Sequence, residues 1–318
     1  MDDRQLCWVL AGPTASGKTA LSIRLAKAHG CEIICMDSMQ IYRRMDIGTA
    51  KPTAQERAAV PHHLLDIVDP SQSYAVADYA QAAESVIAQV AARGKLPILV
   101  GGTGLYLKAL MDGLSLGGAG CDEALRAALK AEALAPGGRE RLHARLAAVD
   151  PESAGRLHPN DVRRVIRAIE IYEQTGLPMS LQQPQQSERP FEILPLALEC
   201  PRDELYGRLE SRVHRMMAQG LLEEVKALLE GGVSPQAQSM QGIGYKELVP
   251  VVLEGAARED AVWRIIINTR HYAKRQRTWL RADPRAVWLD AGEGADPFAQ
   301  AMRQAERFLN AAKERNDE

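Results

Sequence analysis

The octapeptide GPTASGKT at residues 12–19 constrains this chain more than any other feature of its sequence. It fits the pattern G-x-x-x-x-G-K-[ST] in full, between an apolar run at residues 7–11 and a segment with helical spacing at residues 20–29. In such a loop, backbone N–H groups and the helix N-terminus surround a phosphate group, the lysine neutralises its charge and the last hydroxyl ligates Mg²⁺. The pattern predicts a polyphosphate site formed by Gly12, Pro13, Thr14, Ala15, Ser16, Gly17, Lys18 and Thr19, with Thr19 as the ligand to Mg²⁺.

Two more apolar runs, at residues 32–36 and 96–100, flank an alanine-rich helical segment at residues 79–93. This alternation predicts an α/β fold whose core is a parallel sheet like that of P-loop NTPases. Parallel sheets carry ligand sites at the carboxyl ends of their strands. The phosphate loop, Asp37 after the first run and Thr103 after the second should therefore meet in one crevice.

Asp37 is the candidate acid at this crevice. A carboxylate there can accept a proton from an attacking group or orient a substrate. A helix N-cap, or a group that supports bound magnesium, is the alternative that position alone leaves open. Lys51, in the loop at residues 47–52, could reach an anion, although a solvated loop lysine is the more common case.

The phosphate loop alone does not decide between ATP and another diphosphate. A nucleotide hydrolase needs an apolar strand that ends in a magnesium-orienting acid, but the run at residues 96–100 ends in Gly-Gly-Thr. The one competing candidate is Asp66, after Leu64 and Leu65. No N-K-x-D or T-K-x-D segment occurs, which disfavours a regulatory GTPase, whereas an ATP-dependent small-molecule kinase stays open.

At 318 residues the chain is long for one domain. A glycine-rich link after Leu114 opens a stretch without strand signals. We therefore predict a catalytic core at residues 1–114 and 191–318 and an inserted, mainly helical domain at residues 115–190. In the insert, the spacing predicts helices at residues 122–134, 139–149 and 161–173, followed by a polar loop at residues 182–190. Beyond it, the pattern predicts a strand at residues 191–198, long helices over residues 202–281 and a last strand at residues 287–289.

Composition excludes several classes of protein. No apolar run approaches the roughly 18 residues needed to cross a bilayer, and residues 1–5 lack a signal-peptide pattern, so a cytoplasmic protein without membrane contact is expected. The five cysteines show no metal-binding spacing and are expected to be free thiols: Cys7, Cys31, Cys35, Cys121 and Cys200. Because the net charge is −2, a nucleic-acid partner can be inferred only from a local patch.

A local excess of positive charge lies between Asp260 and Asp283. The interval contains no acidic residue and six basic ones, Arg264, Arg270, Lys274, Arg275, Arg277 and Arg281. The spacing puts four of them on one helical face, Arg270, Lys274, Arg277 and Arg281, with His271, Tyr272 and Trp279 interleaved. This pattern predicts a nucleic-acid surface, and a solvated charged face is the alternative. In the insert, the basic residues Arg163, Arg164 and Arg167 form a second candidate wall, so that an RNA with an unpaired loop base could be gripped between the two.

Six segments together resemble the tRNA dimethylallyltransferase family, over nearly the whole chain and in the family's order. They are GPTASGKT at 12–19, DSMQIYRRMDIGTAKP at 37–52, HHLLDIVDP at 62–70, GGTGLY at 101–106, QGIGYKE at 241–247 and AKRQRTWLR at 273–281. Two positions depart from the family pattern. Arg44 stands where glycine is frequent and Leu280 where phenylalanine is frequent, which concerns local packing and not the reacting groups.

The resemblance implies transfer of a dimethylallyl group from dimethylallyl diphosphate to N6 of the adenosine 3′ to the anticodon, with release of pyrophosphate. It implies that Asp37 is the general base and that Thr103 contacts the target nucleotide. Lys18, Thr19 and Arg212 would hold the diphosphate together with Mg²⁺. The implied contacts to the tRNA anticodon stem-loop are Asp37, Ser38, Met39, Gln40, Thr103, Met240, Gln241, Gly242, Ile243, Gly244, Tyr245, Lys274, Arg275, Gln276, Arg277, Thr278, Trp279 and Arg281. The insert would clasp the anticodon stem through Arg163, Arg164 and Arg167, and a monomer is expected.

Three other functions stay open at this point. An adenylate isopentenyltransferase would use a free nucleotide and would need neither the basic helix nor the insert. A small-molecule kinase would turn over ATP, with Asp37 binding an acceptor hydroxyl. A noncatalytic RNA-binding protein would leave the complete phosphate loop without a role.

Overall fold

The computed structural model describes residues 4–113, 120, 122–182 and 191–317. Its strands are β1 Gln5–Ala11, β2 Glu32–Met36, β3 His62–His63, β4 Pro97–Gly101, β5 Phe191–Glu199 and β6 Val287–Asp290. They form a sheet in the order β3-β2-β4-β1-β5-β6, and every pairing is parallel. The predicted parallel α/β sheet is confirmed, and the ends of its five expected strands lie within two residues of the prediction, whereas β3 was not expected.

Helices follow or connect the strands. Those of the amino-terminal part are α1 Lys18–His29, α2 Ala54–Ala59, α3 Val76–Ala92 and α4 Gly104–Asp112. Between α4 and β5 lie α5 Glu123–Leu134, α6 Gly138–Val149, α7 Pro151–Arg156 and α8 Val162–Thr175. After β5 come α9 Arg202–Ala218, α10 Leu221–Glu230, α11 Tyr245–Glu254, α12 Arg258–Arg281 and, after β6, α13 Pro297–Asp317.

The chain divides into two compact units, residues 1–111 with 189–318, and residues 112–188. In the second unit, α5, α6 and α8 pack around their own apolar core, which includes Leu129, Leu146 and Ile166. Most of the link at residues 117–120 and of the loop at residues 182–190 lies outside the described residues.

The sheet is central because β1 is apolar on both faces. Trp8 and Leu10 pack with α1 and α13 on one side, whereas Cys7 and Val9 pack with α3 and α4 on the other. A strand buried on both faces needs a continuous apolar run, which is the pattern that residues 7–11 show. The carboxyl end of β1 thus lies inside a rigid, doubly covered sheet, where it can hold the phosphate loop in one place.

A further apolar core lies among α9, α10, α11 and α12, and it includes Tyr42, Met45, Met240 and Tyr245. It anchors the long segment that follows β2 against the carboxy-terminal helices. The loop that carries Asp37 is therefore held by the sheet on one side and by this core on the other.

Several elements were not predicted from the sequence. No helix was expected at residues 104–112 or 297–317, yet α4 and α13 cover the two faces of the sheet. The small side chains of Ala301 and Ala305 let α13 pack closely on this core, and alanine alone gives a weak apolar signal.

None of the helices in the described ranges is long and apolar enough to span a bilayer. Four of the cysteines are buried free thiols: Cys7, Cys31, Cys35 and Cys200. Burial raises the pKa of each of these four thiols, for Cys31 to about 12. Cys121 lies outside the described residues.

Candidate active site

The phosphate loop joins β1 to α1 through backbone conformations that few side chains tolerate. Gly17, immediately before α1, has a φ of 94°, in the left-handed region that glycine adopts without strain. The first turn of α1 contains no acidic residue that would offset the positive end of the helix dipole. The end of β1 therefore presents a region of positive potential.

Two polar side chains of the loop are arranged to meet an anion. Lys18 Nζ donates to the carbonyl oxygens of Gly12 and Pro13, at 3.0 and 2.7 Å, so the ammonium group lies over the loop itself. Ser16 Oγ is buried and has no hydrogen-bond partner among the described residues. A buried hydroxyl without a partner is costly, and a phosphate oxygen would satisfy it. The loop thus fits a diphosphate.

Arg212, on α9, brings a second positive charge to this place. The pKa of Lys18 is lowered to about 7, mainly by burial and further by the charge of Arg212, while the charge of Asp37 opposes the shift. Burial also lowers the pKa of Arg212, and Asp37 again opposes it. A lysine, an arginine and a carboxylate from three separate elements therefore lie within electrostatic reach of one another.

Asp37 follows β2, and its carboxylate is oriented by its own loop. Oδ1 accepts the backbone N–H of Met39 at 2.9 Å and that of Gln40 at 3.4 Å. The described residues provide no hydrogen-bond donor to Oδ2, which leaves this oxygen available to a substrate. The N-cap alternative for Asp37 is not supported, because the next helix, α2, begins at residue 54 and is capped by Thr53.

Thr103 ties the end of β4 to the loop of Asp37. Its Oγ1 accepts the N–H of Ser38 at 3.0 Å and donates to Ser38 Oγ at 3.4 Å. The close approach requires glycine just before it, since a Cβ on Gly101 would lie 1.9 Å from the carbonyl oxygen of Met36. The tips of β1, β2 and β4 therefore carry the phosphate loop, Asp37 and Thr103 on one edge of the sheet, as expected for the carboxyl ends of parallel strands.

Tyr272 is a candidate site residue that the sequence pattern indicated only as an interleaved aromatic. The pKa of its hydroxyl is raised, mainly by burial and further by the charge of Asp37, and the nearby Thr103 opposes the rise. The sequence feature that could have indicated Tyr272 as a site residue is its position four residues before Gln276, on the same helical face.

A magnesium ion would have Thr19 as its protein ligand in this loop. The Thr19 hydroxyl lies at the second position of α1 and is partly exposed. No group of three or more His, Cys, Asp or Glu side chains in the described ranges could hold a metal ion by itself. This donor set fits an ion that takes most of its ligands from substrate phosphates and water, as Mg²⁺ usually does.

The match to a known family decides between the alternatives. The profile of the IPP transferase family matches residues 40–283, most of the chain. The chain belongs to the IPP transferase family. Similar proteins named tRNA dimethylallyltransferase occur in Geobacter sulfurreducens, 48% identical over 284 residues that cover 89% of this chain and 91% of the relative, and in Pelotomaculum thermopropionicum, 48% identical with 93% and 94% covered.

Solved structures of other family members have the same fold. The full-length tRNA isopentenylpyrophosphate transferase of Bacillus halodurans is 40% identical, with a TM-score of 0.72 and coverage of 99% of this chain and 98% of that one. A eukaryotic dimethylallyltransferase described as acting on tRNA is 33% identical, with a TM-score of 0.77 and coverage of 91% and 74%. The P-loop-like α/β fold of this chain is thus shared with both of these proteins.

The structure brings together two of the segments that the family resemblance implies as tRNA contacts. Gly242 packs so closely on Met39 that a Cβ there would lie 2.4 Å from the Met39 methyl carbon. However, Met240 and Tyr245 are fully buried in the core, and the Tyr245 hydroxyl donates to Glu224 at 2.6 Å. Their side chains support the segment from inside and do not face its surface. The more accessible members are Gln241, which is exposed, and Ile243, which is half-buried.

The predicted row of cations on α12 is corrected in part, because acidic residues from other elements pair with three of its four members. Arg270 pairs with Glu210 at 2.8 Å, and both Arg277 and Arg281 pair with Glu199. Although burial raises the pKa of Glu199, the hydrogen bonds from the two arginines outweigh it and hold that pKa below its usual value. The part of α12 after Asp260 contains no acidic residue, but acids on other elements pair with three of its arginines.

Other implied contacts on α12 are also occupied by the fold. The side chain of Gln276 is buried, Trp279 packs against Gly104, and Thr278 Oγ1 donates to the Lys274 carbonyl at 3.0 Å. The Lys274 and Arg275 side chains are exposed, and neither pairs with an acid in the described part of the chain.

In the unit 112–188, Arg167 is the one of the three predicted arginines that pairs with a buried acid. Arg167 pairs at 2.7 Å with Glu170, which is fully buried and which Arg126 also binds at 2.8 Å. Arg164 forms an exposed pair with Asp161 at 3.4 Å, and Arg163 is exposed. Arg163 and Arg164 are the members of the set whose side chains are turned to solvent.

Both expectations for Lys51 were wrong, and Asp66 has a structural role. Lys51 is neither solvated nor free to bind an anionic ligand, because its side chain is buried and donates to the carboxylates of Asp46 at 2.7 Å and Asp66 at 2.5 Å. Asp66 also binds Arg57 at 2.7 Å, so its carboxylate is saturated by cations and does not serve as a magnesium-orienting acid.

Proposed function

We propose that the chain transfers a dimethylallyl group from dimethylallyl diphosphate to N6 of the adenosine on the 3′ side of the tRNA anticodon, releasing pyrophosphate. The observation that carries the proposal is that the phosphate loop, Asp37 and Thr103 lie together at the carboxyl ends of β1, β2 and β4. Lys18 and Arg212 are close enough to Asp37 for its charge to act on the pKa of both. Membership of the IPP transferase family, whose named relatives act on tRNA, supports the choice of acceptor.

The reaction needs a base and a stabilised leaving group. N6 attacks C1 of the dimethylallyl group, the C1–O bond breaks, and its electron pair leaves with pyrophosphate. The exocyclic amine is a weak nucleophile, so its proton passes to Asp37 as the new bond forms. Oδ2 is the oxygen that accepts this proton, because Oδ1 is held by the N–H groups of Met39 and Gln40.

The negative charge that develops on the diphosphate is balanced by groups that are already in position. Lys18, Arg212 and the N–H groups at the start of α1 surround the phosphate loop, and preorganised charges of this kind need no rearrangement as the bond breaks. Mg²⁺, held through the Thr19 hydroxyl and the diphosphate, would add to this charge neutralisation.

The target base must leave the stack of the anticodon arm to reach this site, as in other enzymes that modify a base. We assign the phosphate contacts on the catalytic unit to Lys274 and Arg275, and those on the unit 112–188 to Arg163 and Arg164, since these side chains are exposed. The unit 112–188 would then clasp the anticodon stem. Thr103, Ser38 and Gln241 would line the path of the base. We expect a monomeric, cytoplasmic enzyme, and its mass in solution by sedimentation checks the first point.

The decisive experiment measures transfer of radiolabel from dimethylallyl diphosphate to an unmodified tRNA that carries adenosine next to the anticodon, with Mg²⁺ present. Parallel reactions contain AMP as the acceptor or labelled ATP as the donor. Label in the tRNA alone is the expected result. Label in AMP alone would instead identify a free-nucleotide enzyme, and phosphate transfer from ATP would mean that the loop holds a different ligand.

A further inference from the structure

Gln276 makes two hydrogen bonds that join the phosphate loop to the acceptor side of the site. Its Oε1 accepts the backbone N–H of Thr14 at 2.9 Å, and its Nε2 donates to the carbonyl oxygen of Gly102 at 2.9 Å. The side chain is only 7% exposed. Both ends of one amide are therefore used by two loops that follow different strands, β1 and β4.

These two loops carry the two halves of the reaction. Thr14 lies within the phosphate loop, and Gly102 immediately precedes Thr103, whose hydroxyl holds the N–H of Ser38 beside Asp37. The amide of Gln276 thus lies on a short covalent and hydrogen-bonded path from the diphosphate site to the general base.

An amide suits this position. Its oxygen accepts from the N–H group of Thr14 while its nitrogen donates to the C=O group of Gly102, so one uncharged side chain satisfies both loops. The approach to Gly102 is also tight, since a Cβ there would lie 2.1 Å from Gln276 Nε2. Because the Thr14 N–H points to Gln276, it is not among the N–H groups left to bind phosphate.

We propose that Gln276 is a positioning residue that fixes the diphosphate relative to the acceptor amine, and that it is not itself a tRNA contact. The inference rests on the proposed function above. Its physical basis is that a transfer reaction depends steeply on the distance between the attacking and departing atoms, so that a displacement of about 1 Å costs roughly 100-fold in rate. A bridge between the two loops limits that displacement.

The test compares Gln276→Met, which keeps the volume and removes both hydrogen bonds, with Gln300→Met. Gln300 on α13 is a matched control because it makes the same pair of bonds to a backbone, accepting the Asp290 N–H at 2.9 Å and donating to the Asp290 carbonyl at 3.2 Å. Dimethylallyl transfer to tRNA is measured in full-length protein, with kcat and KM for each substrate, tRNA affinity by filter binding, and Tm.

Gln276→Met is expected to lower kcat roughly 10- to 100-fold, with tRNA affinity within about threefold of wild type. Gln300→Met is expected to keep wild-type kcat. A second variant, Gln276→Glu, keeps the acceptor for Thr14 but sets a carboxylate oxygen against the Gly102 carbonyl, and a similar fall in kcat is expected.

Three results would overturn the inference. A wild-type kcat in Gln276→Met or in Gln276→Glu would show that the hydrogen bonds of Gln276 to the two loops do not affect the reaction. A loss confined to KM or tRNA affinity makes Gln276 a binding residue, and an equal loss of kcat in Gln300→Met makes the effect one of general stability. If the wild-type protein transfers no label to tRNA, the proposed function is refuted, and the role of Gln276 in that reaction is refuted with it.

Discussion

The phosphate loop and α12 both carry clustered positive charge, but they differ in how that charge is matched. At the loop, Lys18 and Arg212 form no ion pair with a carboxylate in the described part of the chain, and burial lowers the pKa of both. On α12, three of four arginines and lysines in the predicted row are paired with Glu199 or Glu210. An unmatched charge that is partly removed from water destabilises a fold, and such a charge marks a place where a ligand can supply the counter-charge. Charges on a surface helix that are paired with acids, as on α12, instead stabilise the fold.

The largest effect is expected at the acid that faces the unmatched cations. Asp37→Asn keeps the size of the side chain and an oxygen for the Met39 N–H, but removes the proton acceptor. We expect kcat for dimethylallyl transfer to fall roughly 10²- to 10⁴-fold, with tRNA affinity largely unchanged. Normal turnover at saturating substrate, with weakened tRNA binding, would contradict the assignment of Asp37 as the base.

The comparison predicts unequal roles for two buried or half-buried arginines. Arg212→Met removes an unmatched charge at the diphosphate and is expected to reduce kcat/KM for dimethylallyl diphosphate roughly 10²- to 10³-fold. Arg270→Met removes a charge already paired with Glu210, and the expected change is less than about threefold. Steady-state kinetics on both variants check this, and equal losses would break the distinction between matched and unmatched cations.

Salt dependence of tRNA binding tests the same distinction within α12. Replacing Lys274 and Arg275 together with alanine is expected to reduce the slope of log affinity against log salt by roughly 0.7 to 0.9 for each phosphate that is no longer neutralised. Replacing Arg277 and Arg281 together is expected to reduce the slope less, because the Glu199 carboxylate pairs with both arginines and already neutralises one of their two charges. If the second pair lowers the slope as much as the first, the arginines exchange Glu199 for phosphate on binding.

The smallest effect concerns a matched pair at a strained position. Arg44 has a φ of 62° and pairs at 3.5 Å with Asp69, and both side chains are exposed. The left-handed backbone costs a residue other than glycine about 1 to 2 kcal/mol, whereas an exposed ion pair contributes little. Arg44→Gly is therefore expected to leave Tm unchanged or to raise it slightly, by thermal denaturation. A clear fall in Tm would show that the ion pair outweighs the backbone strain.

The sequence was sufficient for five of the six strands of the sheet and for the phosphate loop. The reason is that both are local: the apolar run, the glycine pattern and the helix start of residues 7–29 are contiguous. Arg44 shows the same principle, since the frequent glycine at that position of the family corresponds to a positive φ in this chain. The departure at Leu280 is absorbed by the core between α12 and the sheet.

The intramolecular contacts of Arg277, Gln276 and Lys51 were not predicted, because their partners lie in other segments of the chain. Glu199 precedes Arg277 by 78 positions and Gln276 meets Thr14 across 262, and no periodicity in a single helix reveals such pairings. Lys51 was placed in a loop by its neighbours, but its burial depends on Asp66 in the next segment. A row of basic residues in the sequence therefore does not by itself predict an unpaired basic surface, because acids on neighbouring elements can pair with it.

The position of β5 has a consequence for synthesis of the chain. β1 lies between β4 and β5, and its pairing with β5 joins Gln5 to Phe191 and Ala11 to Ala197. About ninety residues separate the end of β4 from the start of β5, which a ribosome adds in roughly 5 to 20 seconds. During that interval residues 112–188 are synthesised, and one edge of β1 has no strand beside it. The insert thus delays the pairing of β5 with β1 during synthesis. Chaperones that bind unpaired strand edges can act in that time.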